Sequence, residues 1–250
     1  MSRLLKTLPF TLAIVALSII TAGCSNQAQI RVVNAIPDSS SAFDVYVNAS
    51  KTAPDLQFPD VYPTPTTPVK YLQVPSGSNT VTVYNYGTTT NPVFTTQGVK
   101  FSASEEYTVV LAGFLNQSPQ AYVTQDNNTA PNQNTGQNNV EFRVIDASAN
   151  TPNSGGFDVC IYQTGLAQPT TPTITGLQLG QSSSYVSLPY ESSYTVLVMQ
   201  SGTNCGGNPY VNQSYGQTSG SNGQITTLVI VDNPNGQGVS QTPIETVDLD

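Results

Sequence analysis

Apolar and polar residues alternate in short runs along most of this chain. In Phe43-Asp44-Val45-Tyr46-Val47, the residues Phe43, Val45 and Val47 fall on one side, and Asp44 and Tyr46 on the other. That is the two-residue period of a β-strand. Thr80–Val83 and Ser193–Val198 alternate in the same way, and clusters such as Pro75-Ser76-Gly77-Ser78-Asn79 supply turns between runs. The pattern predicts strands near 29–35, 42–48, 68–74, 79–86, 92–100, 105–113 and 119–124. It predicts a second series near 140–147, 156–163, 173–179, 183–188, 193–200, 208–214, 224–232 and 243–249. Past residue 23 no segment carries a helical period with caps. The abundance of Thr, Val, Tyr and Pro points the same way. Short strands with a turn every ~8–12 residues predict an all-β protein built as two immunoglobulin-like antiparallel β-sandwich domains in tandem.

The tandem reading rests on a repeat. Arg31-Val32-Val33-Asn34-Ala35 returns as Arg143-Val144-Ile145-Asp146-Ala147, and Phe43-Asp44-Val45 returns as Phe157-Asp158-Val159. Tyr71-Leu72-Gln73-Val74-Pro75 returns as Tyr185-Val186-Ser187-Leu188-Pro189. The offsets are 112, 114 and 114 residues, the length of a whole domain. Tyr107–Leu111 pairs loosely with Ile225–Val229. Residues 29–124 and 140–250 are therefore expected to be two sandwiches. Residues 125–139, rich in Asn, Gln, Thr and Gly with Ala130 alone apolar, are expected to be a flexible polar linker. Two Pro-rich stretches, Tyr62–Pro68 and Pro169–Pro172, read as extended solvated loops.

The first 23 residues change where this body belongs. Arg3 and Lys6 precede an apolar run, Leu8 to Ile20, which is too short to span a bilayer as a helix of about 20 residues. Such a segment reads as a secretory signal. Ala22-Gly23-Cys24 resembles the lipobox of bacterial lipoproteins, with Thr21 where Leu is usual. The resemblance implies cleavage before Cys24 and acylation of its thiol and new amine, with residues 24–28 as a short stalk. The membrane partner is then reached through the N-terminal lipid, and Ser25 points to the outer membrane of a bacterial envelope.

Charge and composition narrow the chemistry. Without residues 1–23 five basic residues face 15 acidic ones, a net charge of −10. Such a chain lacks the clustered cations that nucleic acid requires. There is no His and no Trp. Histidine-based nucleophilic catalysis and His-ligated metal sites are thereby excluded. No cofactor is expected. Cys160 and Cys205 have no metal-ligand spacing and, in an oxidising compartment, are expected to form a disulfide.

The opening Arg31–Asp38, the strand Phe43–Asn48 and the block Tyr71–Gly77 together resemble a bacterial domain-of-unknown-function family, the one numbered 4397. The match covers nearly all of the first unit. The second departs from it, with Ala149-Asn150 for Pro-Asp, Cys160 for Tyr46 and Tyr190-Glu191 for Ser-Gly. The resemblance implies a β-sandwich at the cell envelope and supplies no activity.

Few residues are left as candidate sites. Asp38, Asp44, Asp146 and Asp158 recur at strand ends and within strands, Asp44 and Asp158 at matching places in the two copies. Their spacing matches no calcium loop, and Asp44 and Asp158 are the weak metal candidates against a simpler role in accepting backbone amides. Glu105 and Glu106 are adjacent, so in a strand they point to opposite faces and do not form a glycosidase pair. Tyr84, Tyr86, Tyr185, Tyr190, Tyr194, Tyr210 and Tyr215 serve either cross-strand packing or a carbohydrate platform. The expected role is structural, adhesive or protein-binding, without catalysis, towards an unknown protein or glycan. The alternatives are a carbohydrate-binding module and a glycan-directed periplasmic enzyme.

Overall fold

The computed structural model describes residues 26–65, 71–131, 139–152, 155–217, 223–235 and 237–249. Among them are 17 strands and no helix. The first unit holds β1 (Gln27–Asn34), β2 (Phe43–Val47), β3 (Ser50–Leu56), β4 (Val61–Tyr62), β5 (Leu72–Pro75), β6 (Gly77–Asn85), β7 (Phe94–Phe101), β8 (Glu106–Ala112) and β9 (Gln120–Gln125). The second holds β10 (Asn139–Asp146), β11 (Phe157–Gln163), β12 (Ile174–Leu177), β13 (Val186–Pro189), β14 (Ser193–Gln200), β15 (Val211–Gly216), β16 (Ile225–Ile230) and β17 (Ile244–Leu249).

Each unit is a sandwich of two sheets, and the strand orders match. In the first unit β3-β2-β6-β7 faces β4-β1-β8-β9, with β5 also paired to β1; in the second, β12-β11-β14-β15 faces β13-β10-β16-β17. The all-β sandwich architecture is as the alternation predicts. One pair in each unit differs from an all-antiparallel sheet. β1 runs parallel to β8 (Val32 opposite Val109), and β10 runs parallel to β16 (Val144 opposite Leu228). β3 and β4 had no clear alternation to announce them. β3 is an edge strand containing Pro54, and bulges break its register with β2.

Each sandwich closes its own core. Ile30, Val32, Phe43, Val45, Val81 and Val109 are among the side chains packed in the first. Phe142, Val144, Phe157, Val159, Val196 and Leu228 are among those in the second. A third apolar cluster belongs to both units. Val33, Val110 and Ala112 meet Ile145, Val229 and Val231. The β1/β8 sheet therefore lies against the β10/β16 sheet, and four β-layers are stacked. This explains why Val109-Val110-Leu111-Ala112 and Leu228-Val229-Ile230-Val231 are continuous apolar runs: alternate residues face a sandwich core and the other unit, so neither face meets water. Tyr122 of β9 lies directly on Gly180 of the second unit, where φ is +80° and any Cβ would collide with the ring.

Cys160 points away from Phe157, Val159 and Ile161, as strand alternation predicts, and forms a disulfide with Cys205 in the β14–β15 loop. The bond closes a separation of 45 residues. In the chain-entropy account a loop of this size is worth about 4 kcal/mol. Reduction, or Cys160→Ser with Cys205→Ser, is expected to lower the melting temperature by roughly 10 °C. A thermal melt with and without reductant measures this.

Candidate functional site

The most unusual chemistry among the described residues lies between the two inner sheets. Arg31 of β1 and Arg143 of β10 are almost completely buried, as are Asp126, just past β9, and Asp248 in β17. Strand alternation puts the guanidinium groups there: Ile30 and Val32 enter one core, and Arg31 leaves the opposite face of the strand beside Val33. The pairing is reciprocal. Arg31 Nη2 donates to Asp248 Oδ1 of the second unit, and Arg143 Nη2 donates to Asp126 Oδ1 of the first at 2.7 Å. Each arginine lies farther from its own unit's carboxylate, at 3.4 Å in both cases.

The surrounding groups repeat as well. Arg31 Nε donates to Thr108 Oγ1 at 2.8 Å and Arg143 Nε to Thr227 Oγ1 at 3.0 Å. Those hydroxyls donate in turn to Asp126 and Asp248. Tyr71 Oη donates to Asp126 and Tyr185 Oη to Asp248, at 3.0 and 3.2 Å. The two guanidinium carbons sit 5.6 Å and 4.9 Å from the Tyr71 and Tyr185 ring centroids. The cluster is thus a pseudo-two-fold arrangement of two Arg, two Asp, two Thr and two Tyr, one of each from either unit. Burial disfavours the charge on Arg31, but Asp248 and Asp126 outweigh it and hold its pKa above the ordinary value; Arg143 behaves likewise. Burial raises the pKa of Tyr71 and Tyr185, which stay neutral donors.

The polar segment after β9 differs from a free linker at its start. Asp126 is buried in the cluster, the Asn127 amide donates to Tyr185 Oη at 3.0 Å, and Ala130 is buried. A carboxylate placed between two arginines supplies the ordering energy that its neighbours' composition lacks. Residues 132–138 lie outside the described residues.

Asp44 and Asp158 occupy the same place in their units and do the same work. Asp44 accepts the amides of Gly87 (3.0 Å) and Asp55 (3.2 Å), and Asp158 those of Gly202 (2.9 Å) and Gly176 (2.8 Å). Each carboxylate ties the turn after one hairpin strand to the bulge opposite the other. Asp44 also pairs with Lys51 Nζ at 2.7 Å. Burial pushes its pKa up, yet Lys51 and the two amides leave it below the ordinary value. The two residues lie in different sheets, and no group of three or more His, Cys, Asp or Glu suited to a metal occurs among the described residues.

The remaining candidates are dispersed. Asp38 accepts the Leu115 amide at 3.1 Å. Glu105 is an exposed turn residue bonded to Gln125, and Glu106 begins β8. Tyr107 Oη accepts the Ser102 amide at 2.8 Å and Tyr194 Oη donates to the Pro189 carbonyl, so these two tyrosines pin strand ends. Of the Pro-rich stretch 62–68, Val61–Tyr62 forms β4 against β1, and residues 66–70 lie outside the described residues. Cys24 and the whole address segment also lie outside them.

Among the described residues Asp146 is a carboxyl lifted to the neutral range. It ends β10 fully buried, and burial raises its pKa from 3.8 to about 7. The Thr151 hydroxyl and Ser148 amide oppose the rise, and the charge of Asp232 adds to it. In the first unit the equivalent residue is Asn34, which accepts the Ile36 amide and donates to the Leu56 carbonyl.

The family model described as Domain of unknown function (DUF4397) matches residues 28–154, spanning the first unit and reaching past β10 of the second. No curated protein matches the chain. Among solved structures, an alpha-glucan-binding streptococcal virulence factor is 12% identical with a TM-score of 0.26, covering 83% of this chain and 98% of its own. The family 26 carbohydrate-binding module of Eubacterium rectale in complex with maltoheptaose is 11% identical with a TM-score of 0.23, covering 88% and 95%. The Bacillus anthracis TIE protein is 12% identical with a TM-score of 0.22, covering 82% of this chain and 34% of its own. Likenesses this slight carry neither a fold nor a ligand across.

Two outcomes follow from these geometries. Asp248→Ala leaves the buried Arg31 with Asp126 at 3.4 Å as its remaining carboxylate, and is expected to destabilise the protein by about 3–5 kcal/mol. Adding Arg31→Met to Asp248→Ala should cost clearly less than the sum of the single changes. Additivity within about 0.5 kcal/mol in a double-mutant cycle would show that the pair does not couple the units. Asp146 stabilises the fold only while protonated, because its folded pKa is raised; that contribution is complete below pH ~4 and is lost as the pH rises through ~7. Asp146→Asn keeps a neutral group, as Asn34 does. Its melting temperature relative to the parent should therefore rise by roughly 5 °C or more between pH 4 and pH 8.

Proposed function

Because the chain belongs to the DUF4397 family, we propose that it is an exported, lipid-anchored envelope protein whose two sandwiches act as one binding or adhesive body, with no reaction of its own. The second unit is read as a diverged second copy of the family domain. The repeat offsets and the shared strand order support that reading. The observation that carries the proposal is the use made of the buried charges. Arg31, Arg143, Asp126 and Asp248 are consumed in joining the units, and Asp44 and Asp158 in clamping hairpins. Carboxylates so committed are poor general acids or bases, which need a free face towards substrate. Asp146, although shifted, is fully buried against Ser148 and Thr151.

The disulfide supports an oxidising compartment. The sequence around Cys24 supports a lipid tether at the envelope, with the outer membrane as its destination. A rigid pair of sandwiches held close to a membrane suits display to a protein or glycan. The excess of acidic residues disfavours nucleic acid as a partner.

In a bacterial host, the full-length protein should sediment with membranes and incorporate a radiolabelled fatty acid. Cys24→Ser should abolish the label and release the protein from the membrane fraction. A labelled Cys24→Ser variant, or a parent protein found only in the soluble fraction, would refute the anchor.

A further inference from the structure

The two outer sheets share a topology and present opposite surfaces. Their registers place Tyr46 opposite Thr82 and Asp44 opposite Tyr84 in the first unit. The same positions in the second unit are Cys160 opposite Leu197 and Asp158 opposite Met199. There the face is closed: Cys160, Leu197, Met199 and Cys205 form a buried apolar cluster under the disulfide-pinned loop 201–210. In the first unit the corresponding segment, residues 85–92, is exposed and carries no cysteine. Beneath it Tyr46, Thr82 and Tyr84 are half-buried and Thr95 is exposed, so the face is not closed over as in the second unit.

That open face has a definite chemistry. One row crosses all four strands, Lys51-Tyr46-Thr82-Thr95, each residue directly opposite the next. Its width is about 14 Å from the usual inter-strand spacing. Tyr46 and Tyr84 stand edge to face with ring centroids 5.3 Å apart and planes at 82°. Tyr86, two residues beyond Tyr84, is 57% exposed. Thr82 and Thr95 continue the row from Tyr46, and Thr80 lies two residues from Thr82 on the same strand; their hydroxyls can both donate and accept. The row's cation, Lys51, is neutralised by Asp44 at 2.7 Å and lies 5.8 Å from the Tyr46 centroid.

We propose that this tyrosine–threonine face of the first unit binds a segment of neutral polysaccharide. The inference deepens the binding role proposed above and rests on it. Aromatic rings offer apolar surface to the C–H faces of sugar rings, and the threonines match their hydroxyls. With Lys51 already paired and the mature chain at net −10, an anionic polymer is repelled rather than drawn in. The row contains no Leu, Ile, Val, Phe or Met, so its surface is aromatic and hydroxyl-bearing rather than aliphatic.

The test is affinity electrophoresis of the full-length protein in detergent, through native gels containing amylose, hydroxyethylcellulose, xyloglucan or galactomannan. A polygalacturonate gel is the anionic comparison. Retardation is expected in at least one neutral gel. It should weaken at least tenfold for Tyr46→Ala and Tyr84→Ala, and should be unchanged for Leu166→Ala, which alters a 60% exposed side chain of the second unit. Thr95→Arg, a change at an exposed edge position, should also weaken retardation and decides the matter if the tyrosine variants fail to fold. Passage of the parent unretarded through every neutral gel would overturn the proposal. So would retardation confined to polygalacturonate, or retardation indifferent to these substitutions. Membrane attachment through Cys24 is read separately, so failure here leaves the anchored-body reading intact and failure there leaves this one intact.

Discussion

Two arginines and two aspartates, buried between sheets and exchanged between units, are the constraint on which the architecture depends. Taking four charges out of water costs several kcal/mol per ion before any return. The return comes only in the assembled geometry, where each guanidinium reaches across to the other unit's carboxylate and finds a threonine hydroxyl and a tyrosine ring of its own. Neither unit satisfies its charges alone. Arg31 is 3.4 Å from Asp126 and needs Asp248; Arg143 is 3.4 Å from Asp248 and needs Asp126. The apolar contact of Val33 and Val110 with Ile145 and Val229 excludes water around the same cluster. Ion pairing and apolar contact therefore act on the same seam between the sandwiches.

The repeat shows how one sequence pattern serves two kinds of packing. In Arg31-Val32-Val33-Asn34-Ala35, even positions of the strand enter the sandwich or its end, and odd positions enter the seam. The aspartate of Phe-Asp-Val is likewise present in both units, accepting one amide from the turn after a hairpin strand and one from the bulged edge strand. Where the copies diverge, the surface changes instead of the scaffold. Cys160, Leu197 and Met199 turn the second outer face into a small covered core, while Tyr46, Thr82 and Tyr84 leave the first one open.

Local information made much of this legible. Alternation identifies β2, β6 and β14, the repeat offsets identify two units, and the odd pair of cysteines identifies the cross-link. β3 escaped because its signal is not local: Pro54 and the bulged register are tolerated only at a sheet edge, against a neighbour already in place. Asp126 escaped for the same kind of reason. It sits at the head of a polar stretch that resembles a linker by composition, and its partners are 95 residues earlier and 17 residues later in the chain.

The sequence by itself determined the all-β character, most of the strands, the internal repeat and the facing of Cys160, because these follow from side-chain periodicity and from covalent chemistry. Tertiary structure decided the parallel pairing of β1 with β8 and of β10 with β16, the seam between the units and the role of Arg31 and Arg143. Periodicity reports which face of a strand a side chain occupies. It carries no information on what lies against that face, and a buried arginine becomes tolerable only when a distant carboxylate is brought to meet it.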